Sequence, residues 1–513
     1  MNITRTLEHY WRKPLFYWLL AVIIALATPL TFAPYYHFWL MPLLFGALIR
    51  LTEIRPERTV STAYLFGFTA YSAQFYWIHT ALHDVSGLPD LFAVPLTVLL
   101  PAFLALYPAL CFKLWQKFDY PRWIKVGIVL PVLWTLAEFA RERLLTGFGW
   151  GALGYSQITK DSPLAGFAPV GGIHLVTLAT AFIGSWLVLL VDNSGRLKSR
   201  LMPLCFCVAL CTVGLIAQNT DFTRPDGSSA TVALLQGNIP QTLKWNEDQV
   251  VPTIQKYYNQ LSKTRADIII TPETAIPVMR QNLPEDILTQ FAEQAQSNGS
   301  ALALGISQYT ADGNGYENAV VNLSNYRSPS DAVPYYAKNH LVPFGEYKPL
   351  PLITNFLYRL MNMPLADFRR GGEGQAPLVL KNQRVAFNIC YEDGFGDELI
   401  ATARQSTLLA NVSNMAWYGD SNAMYQQLQQ SQARAMELGR YMVRATNTGA
   451  TAIVSPKGSI VAAAEPNTDA VLESHIKGYT GETPYMRMGG SYWLIGLLAA
   501  VALVLFALRR KPE

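Results

Sequence analysis

Hydrophobic residues follow two different patterns along the chain. Residues 1–220 and 490–509 consist mainly of long apolar runs, whereas residues 220–488 alternate short apolar runs with polar segments. A helix needs about 20 mostly apolar residues to cross a bilayer core of about 30 Å. The long runs therefore predict membrane-spanning helices, and the segment between them predicts a globular domain.

The apolar runs predict eight spans. They are Leu15–Thr31, His37–Ile49, Thr62–Ala81, Leu91–Phe112, Val126–Phe139, Leu164–Val191, Leu201–Gln218 and Ser491–Leu508, of which the second is marginal in length. We accordingly expect a transmembrane domain of seven helices over residues 1–219. A globular domain over 220–488 follows, and residues 489–513 hold the eighth helix and a tail.

Basic residues fall on every second connection between these spans. The basic clusters contain Arg5, Arg12 and Lys13, then the arginines of 50–58, the Lys and Arg residues of 113–125 and 196–200, and finally Arg509, Arg510 and Lys511. The loops 32–36 and 83–90 have no Lys or Arg. Because basic loops stay in the cytoplasm, both termini are expected inside and residues 220–488 outside. The loop after the fifth span, with Arg141, Arg143 and Lys160, is an exception.

Composition supports a membrane protein and excludes several functions. Charged residues make up 15% of the chain, against about 25% in soluble proteins. The net charge of +4 is too small to indicate nucleic-acid binding. No zinc-type Cys/His spacing or phosphate-binding glycine loop occurs, so we expect neither a metal nor a cofactor.

The segment 220–488 alternates strand-like and helix-like patterns. The predicted strands are 231–235, 266–271, 301–306, 319–323, 378–380, 384–390, 408–411 and 450–455, and the predicted helices are 249–263, 284–296 and 422–444. Such alternation is typical of layered α/β domains. Glu273, Cys390 and Asn411 stand at or just after strand ends, where sites in such sheets gather.

Cysteine usage draws attention to one thiol. Of the five cysteines, Cys111, Cys205, Cys207 and Cys211 lie in predicted spans, and Cys390 alone lies in the globular domain. A lone thiol outside the cytoplasm is either buried and inert or retained for chemistry. A nucleophilic thiol needs a base or a cation to form its thiolate, and an electrophile for the oxyanion that follows.

Three motifs supply those groups. They are Pro272-Glu-Thr-Ala, Tyr336-Ala-Lys-Asn-His-Leu-Val-Pro-Phe-Gly-Glu-Tyr and Asn388-Ile-Cys-Tyr-Glu-Asp, which contain a glutamate, a lysine and a cysteine in that order. They resemble the active-site motifs of the nitrilase superfamily. Together with the membrane segments, they resemble the apolipoprotein N-acyltransferases of bacterial inner membranes over essentially the whole chain.

The resemblance implies a fold class and a reaction. The expected fold is an α+β membrane protein with eight transmembrane helices and a nitrilase-like αββα sandwich on the periplasmic side of the inner membrane. The implied reaction takes an acyl chain from a phospholipid, typically phosphatidylethanolamine. It passes that chain through a Cys390 thioester to the α-amino group of a diacylglyceryl-cysteine at an apolipoprotein N-terminus.

The resemblance also implies roles for individual residues. Glu273 is expected to accept the thiol proton and Lys338 to stabilise the oxyanion, with help from a backbone N–H near Tyr391. Glu346 is expected either to orient Lys338 or to assist proton transfer, while Tyr391 and Glu392 shape the pocket. Four aromatic residues are further candidates for a lid or for lipid contact: Trp245, Trp417, Phe148 and Trp150.

The sequence leaves two other functions open. A membrane-anchored nitrilase-type hydrolase would use the same three residues but would not need seven preceding spans. A transporter with an accessory domain would need ionisable residues within the membrane, for which Glu138 and His174 are the candidates. A Cys–His pair through His340 is a weaker hypothesis than a glutamate base.

Overall fold

The chain folds into two compact units. The structure is a computed structural model that describes residues 14–145, 147–192, 197–349 and 367–509. One unit takes the described parts of 1–76, 91–220 and 488–513, and the other takes 77–90 and 221–487. Of the basic residues that orient the predicted spans, Arg5, Arg12, Lys13, Arg196, Arg510 and Lys511 lie outside the described residues.

The first unit is helical. Its α-helices are Pro14–Leu26, Leu40–Ile54, Thr59–Gln74, Asp90–Leu104, Leu106–Trp115, Arg122–Ile124, Leu130–Arg143, Ala168–Asp192, Leu197–Asn219 and Tyr492–Leu508. Shorter helical turns cover Thr28–Thr31, Pro56–Arg58, Lys125–Val129, Leu153–Gln157 and Pro163–Phe167.

Five helical stretches among the described residues are long and apolar enough to cross a membrane. They are Pro14–Thr31, Asp90–Trp115, Arg122–Arg143, Pro163–Val191 and Arg200–Asn219. Tyr492–Leu508 is a shorter apolar helix. The second and third predicted spans overlap the helices Leu40–Ile54 and Thr59–Gln74.

The third predicted span is too long by several residues. We expected it to run to Ala81, but the helix ends at Gln74 and residues 77–90 belong to the second unit. The prediction was too long because Trp77 and Ile78 continue the apolar run of the sequence. In the structure, Trp77 instead packs on Tyr418 of the second unit, with the two ring centroids 4.6 Å apart. An apolar pattern does not show which unit buries it.

Ionisable residues inside the helical unit are paired with other groups of that unit. Glu138 accepts hydrogen bonds from Trp134 Nε1 (3.0 Å) and Thr177 Oγ1 (2.9 Å), and from the backbone N–H of Leu153. His174 contacts Ser491 through Nδ1 (2.9 Å) and Glu142 through Nε2 (3.3 Å). These contacts tie helices together, which is a structural use of the residues that a transporter would need for a pathway.

Arg141 accounts for part of the exception in the loop charges. Its side chain is only 1% exposed and donates hydrogen bonds from one nitrogen to the carbonyls of Phe148 (2.7 Å) and Trp150 (2.8 Å). This arginine holds the chain that follows its helix and is not a solvated loop charge, so it carries little information about orientation.

The second unit contains two six-stranded sheets. Its strands are β1 Arg224–Gln236, β2 Ile268–Ile270, β3 Ala301–Tyr309, β4 Tyr316–Asn322, β5 Tyr335–Ala337, β6 Leu378–Leu380, β7 Gln383–Ile389, β8 Leu408–Ser413, β9 Met442–Thr446, β10 Ala452–Val454, β11 Ile460–Ala463 and β12 Ala470–Thr480. The sheet orders are β12-β1-β2-β3-β4-β5 and β11-β10-β9-β8-β7-β6. The pairs β1–β2, β2–β3, β7–β8 and β8–β9 are parallel.

Helices cover the outer face of each sheet. The longer helices are α1 Glu247–Lys263, α2 Glu285–Ser297, α3 Gly396–Gln405 and α4 Ala423–Leu438. Short helical turns cover Gln241–Lys244, Ile78–Thr80, Ala81–Val85, Arg280–Asn282, Cys390–Gly394, Met415–Tyr418 and Pro484–Arg487. Tyr257 of α1 and Phe291 of α2 pack on the first sheet, and Leu399 of α3 and Leu428 of α4 pack on the second.

The two sheets face each other across a shared apolar core. Val232 and Ile270 of the first sheet belong to the same buried cluster as Phe387 and Val412 of the second. Two sheets back to back between two helical layers make an αββα sandwich, as predicted from the sequence.

One predicted helix proved to contain a strand. We expected a helix over residues 422–444, but α4 ends at Leu438 and β9 begins at Met442. Gly439 has a φ of +62° and closes α4, because a left-handed residue at this position ends a helix and glycine adopts it without strain.

Candidate active site

Cys390 lies at the end of a central strand in an unusual backbone conformation. It directly follows β7 and starts the helical turn Cys390–Gly394, with a φ of +55°. A non-glycine residue in this left-handed region costs on the order of 1–3 kcal/mol and persists only where its surroundings enforce it. The sharp turn lifts the half-buried thiol off the strand end.

The environment of Cys390 disfavours its thiolate. Burial raises the pKa of the thiol to about 12, with a further contribution from the carboxylate of Glu273, although Lys338 acts in the opposite direction. The thiol is therefore protonated near neutral pH, and its activation requires a base. The side-chain amide of Gln427 faces the thiol, with Nε2 3.9 Å from the sulfur.

Glu273 is held just beyond β2 by hydrogen bonds to both carboxylate oxygens. Asn318 Nδ2 donates to Oε1 at 2.6 Å, and the backbone N–H of Asn414 donates to Oε2 at 2.9 Å. The peptide before Glu273 runs directly over Gly305 of β3. A Cβ on that glycine would lie 2.0 Å from the carbonyl oxygen of Pro272, so only glycine permits this path.

Lys338 follows β5 and is fully buried. Its Nζ lies 2.8 Å from Glu346 Oε1 and 3.7 Å from Glu273 Oε1. Burial alone would lower the pKa of this amine, but the two carboxylates outweigh it and the net pKa is raised. The ammonium is thus permanently charged, and it bridges Glu346 and Glu273.

Glu346 and Glu392 fix the loop that carries the lysine. Glu346 accepts a second hydrogen bond from the backbone N–H of Val342 at 2.7 Å. Glu392 accepts from the N–H groups of Asn339 (2.7 Å) and His340 (2.9 Å), and from that of Ile389 (2.6 Å). Glu392 therefore joins the lysine loop to the residue before the cysteine, while burial raises its pKa to about 7.

His340 is held by contacts with Glu398 and Phe395. Its Nδ1 lies 2.9 Å from Glu398 Oε1, and its ring stacks on Phe395 with centroids 3.5 Å apart. Tyr391, which is buried, packs its ring edge against Phe395. These contacts give His340 and Tyr391 a place in the wall of the site and provide no support for a Cys–His pair.

The four aromatic candidates lie in different surroundings. Trp245 is 38% exposed and follows the turn Gln241–Lys244, and Trp417 is half-buried within Met415–Tyr418. In the helical unit, Trp150 is buried and Phe148 packs on Phe75 with ring centroids 5.0 Å apart. Their roles in lipid contact stay predictions.

Several polar residues of the site were not selected as site residues from sequence. Asn318 lies in β4 between the carboxylates of Glu273 and Glu346, at 2.6 and 3.5 Å. Lys244 is buried and donates to the carbonyl of Glu273 at 3.3 Å, and burial lowers its pKa to about 8. A polar residue inside an apolar strand was the available signal for Asn318. Lys244 has no such signal.

A buried ion pair supports the helical turn Cys390–Gly394. Arg444 of β9 lies 3.0 Å from Asp393 Oδ2, and donates to Asn411 Oδ1 at 2.6 Å and to Gln427 Oε1 at 2.6 Å. Asp393 also accepts from Asn388 at 3.0 Å. These bonds fix both ends of the turn that presents the thiol.

A thiol, an anchored carboxylate and a buried ammonium at the strand ends of an αββα sandwich are the groups expected in a nitrilase-type acyl-transfer site. Comparison with known proteins agrees with this class. Residues 231–485 match the carbon-nitrogen hydrolase family, and residues 24–216 match the apolipoprotein N-acyltransferase N-terminal domain.

Full-length relatives identify the family. The chain is 73% identical to an apolipoprotein N-acyltransferase of Neisseria meningitidis serogroup A, with 99% of both chains covered. It is 47% identical to one of Chromobacterium violaceum, over 96% of this chain and 95% of that one. The chain belongs to the apolipoprotein N-acyltransferases, which confirms the resemblance found in the three motifs.

A solved structure is also similar to part of the chain. A CN-hydrolase superfamily protein from Xanthomonas campestris, solved with an arsenic adduct in its active site, is 16% identical with a TM-score of 0.35. The match covers 56% of this chain and 99% of that protein.

Proposed function

We propose that the chain N-acylates apolipoproteins by a ping-pong reaction in which Cys390 carries the acyl group as a thioester. Family membership supports the overall activity. The observation that carries the mechanism is that Cys390 is presented on a sharp turn after β7, in the same site as an anchored Glu273 and the Lys338 ammonium 3.7 Å from that carboxylate. A protonated thiol beside an anchored carboxylate needs general-base activation, and Glu273 is the base.

In the first half-reaction, the acyl donor is a membrane phospholipid, for which we propose phosphatidylethanolamine. Glu273 takes the thiol proton while the sulfur of Cys390 bonds to the ester carbonyl carbon. The oxyanion is stabilised by the ammonium of Lys338 and by a backbone N–H near Tyr391. Collapse breaks the ester C–O bond, and the leaving lysophospholipid oxygen takes the proton from Glu273.

In the second half-reaction, the acceptor is the α-amino group of a diacylglyceryl-cysteine. The amine attacks the thioester carbonyl, and Glu273 removes a proton from the attacking nitrogen. The C–S bond then breaks and Glu273 returns its proton to the sulfur, which regenerates the enzyme and releases the amide product. Glu346 orients Lys338 through both steps.

A hydrolase with the same three residues would pass the thioester to water. The long apolar helices of the first unit support a bilayer lipid as donor, because acyl chains in the membrane can reach a site that excludes water. We propose that Trp245 and Trp417 cover this site, and that Phe148 and Trp150 contact lipid.

We also propose that the chain crosses the bacterial inner membrane eight times, with both termini in the cytoplasm. Under this arrangement residues 1–219 form seven spans, residues 220–488 lie in the periplasm and residues 489–513 hold the last span. The alternation of basic and uncharged loops supports it.

The test uses purified full-length protein in vesicles of phosphatidylethanolamine with deuterated acyl chains. A synthetic diacylglyceryl-cysteine peptide is the acceptor, and mass spectrometry follows the label. We expect amide-linked label on the peptide and little free fatty acid, and neither product with Cys390→Ala. Release of free fatty acid in preference to peptide labelling would identify a hydrolase instead.

A further inference from the structure

Three potential metal ligands lie close together in the segment Trp77–Asp90. From the sequence, we expected this segment to be only the end of the third span and the loop after it. Within the described residues, one ligand atom from each of His79, His83 and Asp90 lies within 4.8 Å of the other two. Asp90 Oδ1 is 3.0 Å from His79 Nε2 and 3.4 Å from His83 Nδ1. The side chains of both histidines are between one third and one half exposed.

Local structure explains why these side chains meet. His79 and His83 are one helical turn apart across Ile78–Thr80 and the π-turn Ala81–Val85, and their rings stack with centroids 5.3 Å apart. A turn with Gly87 at a φ of +69° then returns the chain, so that Asp90 reaches both rings. His83 Nδ1 also lies 2.9 Å from the carbonyl of Leu88.

The contact with Leu88 has a chemical consequence. His83 Nδ1 is also the nitrogen that faces Asp90, at 3.4 Å, so a metal bound there would take the place of the Leu88 contact and leave the ring proton on Nε2.

The charges of the segment favour a cation. Residues 77–90 contain Asp84 and Asp90 but no Lys or Arg. Asp84 Oδ1 lies 4.0 Å from His83 Nε2, which adds a second carboxylate at the edge of the cluster. With neutral histidines, two carboxylates have no cation within their own segment.

We propose that His79, His83 and Asp90 form a binding site for Zn²⁺. Two imidazoles and one carboxylate are a ligand set that zinc accepts, with water in a fourth position. Tetrahedral zinc with bonds of about 2.0–2.1 Å requires ligand atoms about 3.3–3.5 Å apart, so the observed spacing needs only small side-chain rotations. This site departs from our expectation that the chain binds no metal.

The site borders the catalytic machinery of the same unit. Trp77 packs on Tyr418, and the methyl group of Thr80 lies beside Gly419. The turn Met415–Tyr418 follows Asn414, whose backbone N–H holds Glu273 Oε2. Zinc would join the two ends of Trp77–Asp90 and so fix the segment that supports this turn.

The test measures zinc bound to tag-free, full-length protein in detergent. A Cys390→Ala background removes the one thiol of the globular domain, which would itself bind zinc. After chelator treatment and equilibrium dialysis against Zn²⁺, elemental analysis should find one zinc per chain. His79→Gln and His83→Gln should each weaken binding at least about tenfold. His475→Gln, an exposed histidine on β12, should not.

Two further measurements report on the site by means other than zinc content. Co²⁺ in a site of low coordination number gives intense visible absorption, which Zn²⁺ should abolish at one equivalent. Zinc should also raise the Tm of the parent protein and leave that of the His79→Gln/His83→Gln double variant unchanged. Absence of bound zinc in the parent, or equal zinc binding in the double variant, would overturn the proposal.

Discussion

At the scale of single residues, the site depends on opposite charges that are buried together. Lys338 balances Glu273 and Glu346, and the three contacts that fix Glu273 come from its own unit. The sequence predicted the glutamate, lysine and cysteine because each stands in a recognisable motif. It did not predict Lys244, because nothing local distinguishes a lysine that is buried under a distant peptide.

Loss of the ammonium should impair catalysis severely. Lys338→Met removes the cation expected to stabilise the oxyanion, and kcat should fall by about 10²–10³. It also leaves two buried carboxylates without their cation. Steady-state transfer assays measure the first effect. Lys256→Met, which removes a half-exposed lysine of α1, is the control. Unchanged kcat in Lys338→Met would exclude an electrostatic role.

The thiol of Cys390 should titrate above the range of an ordinary cysteine. Because its pKa is raised to about 12, the thiolate fraction grows with pH, and alkylation by a neutral haloacetamide should accelerate from pH 7 to pH 10 without a plateau. Glu273→Gln removes one cause of the raised pKa, so alkylation should become faster although acyl transfer becomes about 10²–10⁴-fold slower. Peptide mapping measures both proteins, and a plateau near pH 8 would contradict the account.

At the scale of elements, the strand ends and the loops after them place the chemistry. Most strand cores were predictable from apolar runs, and β6 Leu378–Leu380 was predicted to the residue. The strand β9 was not predicted, because the apolar residues of β9 continue the helical spacing of α4. The positive φ of Gly439, which ends the helix, is visible only in the structure. The strands β11 and β12 were missed. β11 is an apolar run of only four residues, none of them buried, and in β12 polar residues interrupt the apolar ones.

Close contact between β3 and the Glu273 loop should tolerate no side chain. Gly305→Ala would place a Cβ 2.0 Å from the Pro272 carbonyl oxygen, which must displace the peptide that leads to Glu273. We expect at least a tenfold loss of kcat/KM together with a lower Tm. Gly496→Ala, where a Cβ meets nothing within 4 Å, should preserve both values. Full activity in Gly305→Ala would show that the loop adjusts freely.

Glu392 should hold two active-site elements together. An amide in Glu392→Gln cannot accept all the hydrogen bonds that the carboxylate receives from Asn339, His340 and Ile389. Each unsatisfied buried donor costs about 1–3 kcal/mol. Thermal unfolding should therefore show a lower Tm, and kcat should fall because the lysine loop shifts. Exposed Glu373→Gln is the control, and equal Tm values for the two variants would contradict this role.

At the scale of the whole molecule, one apolar and one mixed region of sequence correspond to two compact units. From its composition alone, the sequence predicted membrane helices over residues 1–219 and 489–513 and a globular domain over residues 220–488. The sequence predicted that residues 77–90 belong to the membrane domain, because they lie between two apolar runs. No local pattern reveals that Trp77 packs on Tyr418. Long-range packing of this kind is the information that periodicity does not contain.

The proposed orientation predicts which loops a membrane-impermeant thiol reagent reaches. In a chain whose five native cysteines are replaced, Ala311→Cys in the exposed β3–β4 connection should be labelled in cells with a permeable outer membrane. Lys117→Cys, in a basic loop, should be labelled only after the inner membrane is opened. Labelling in the reverse order would overturn the orientation.

The central claim is that Cys390 carries the acyl chain as a thioester, and intact-mass analysis tests it most directly. Full-length protein is incubated with phosphatidylethanolamine vesicles without an acceptor, so that the first half-reaction accumulates. The account predicts that the protein gains the mass of one acyl group. Hydroxylamine should remove this added mass, and so should a diacylglyceryl-cysteine peptide as acceptor. The Cys390→Ala variant should never gain it. If the protein acylates the acceptor at full rate but never shows this adduct, the thioester mechanism is contradicted.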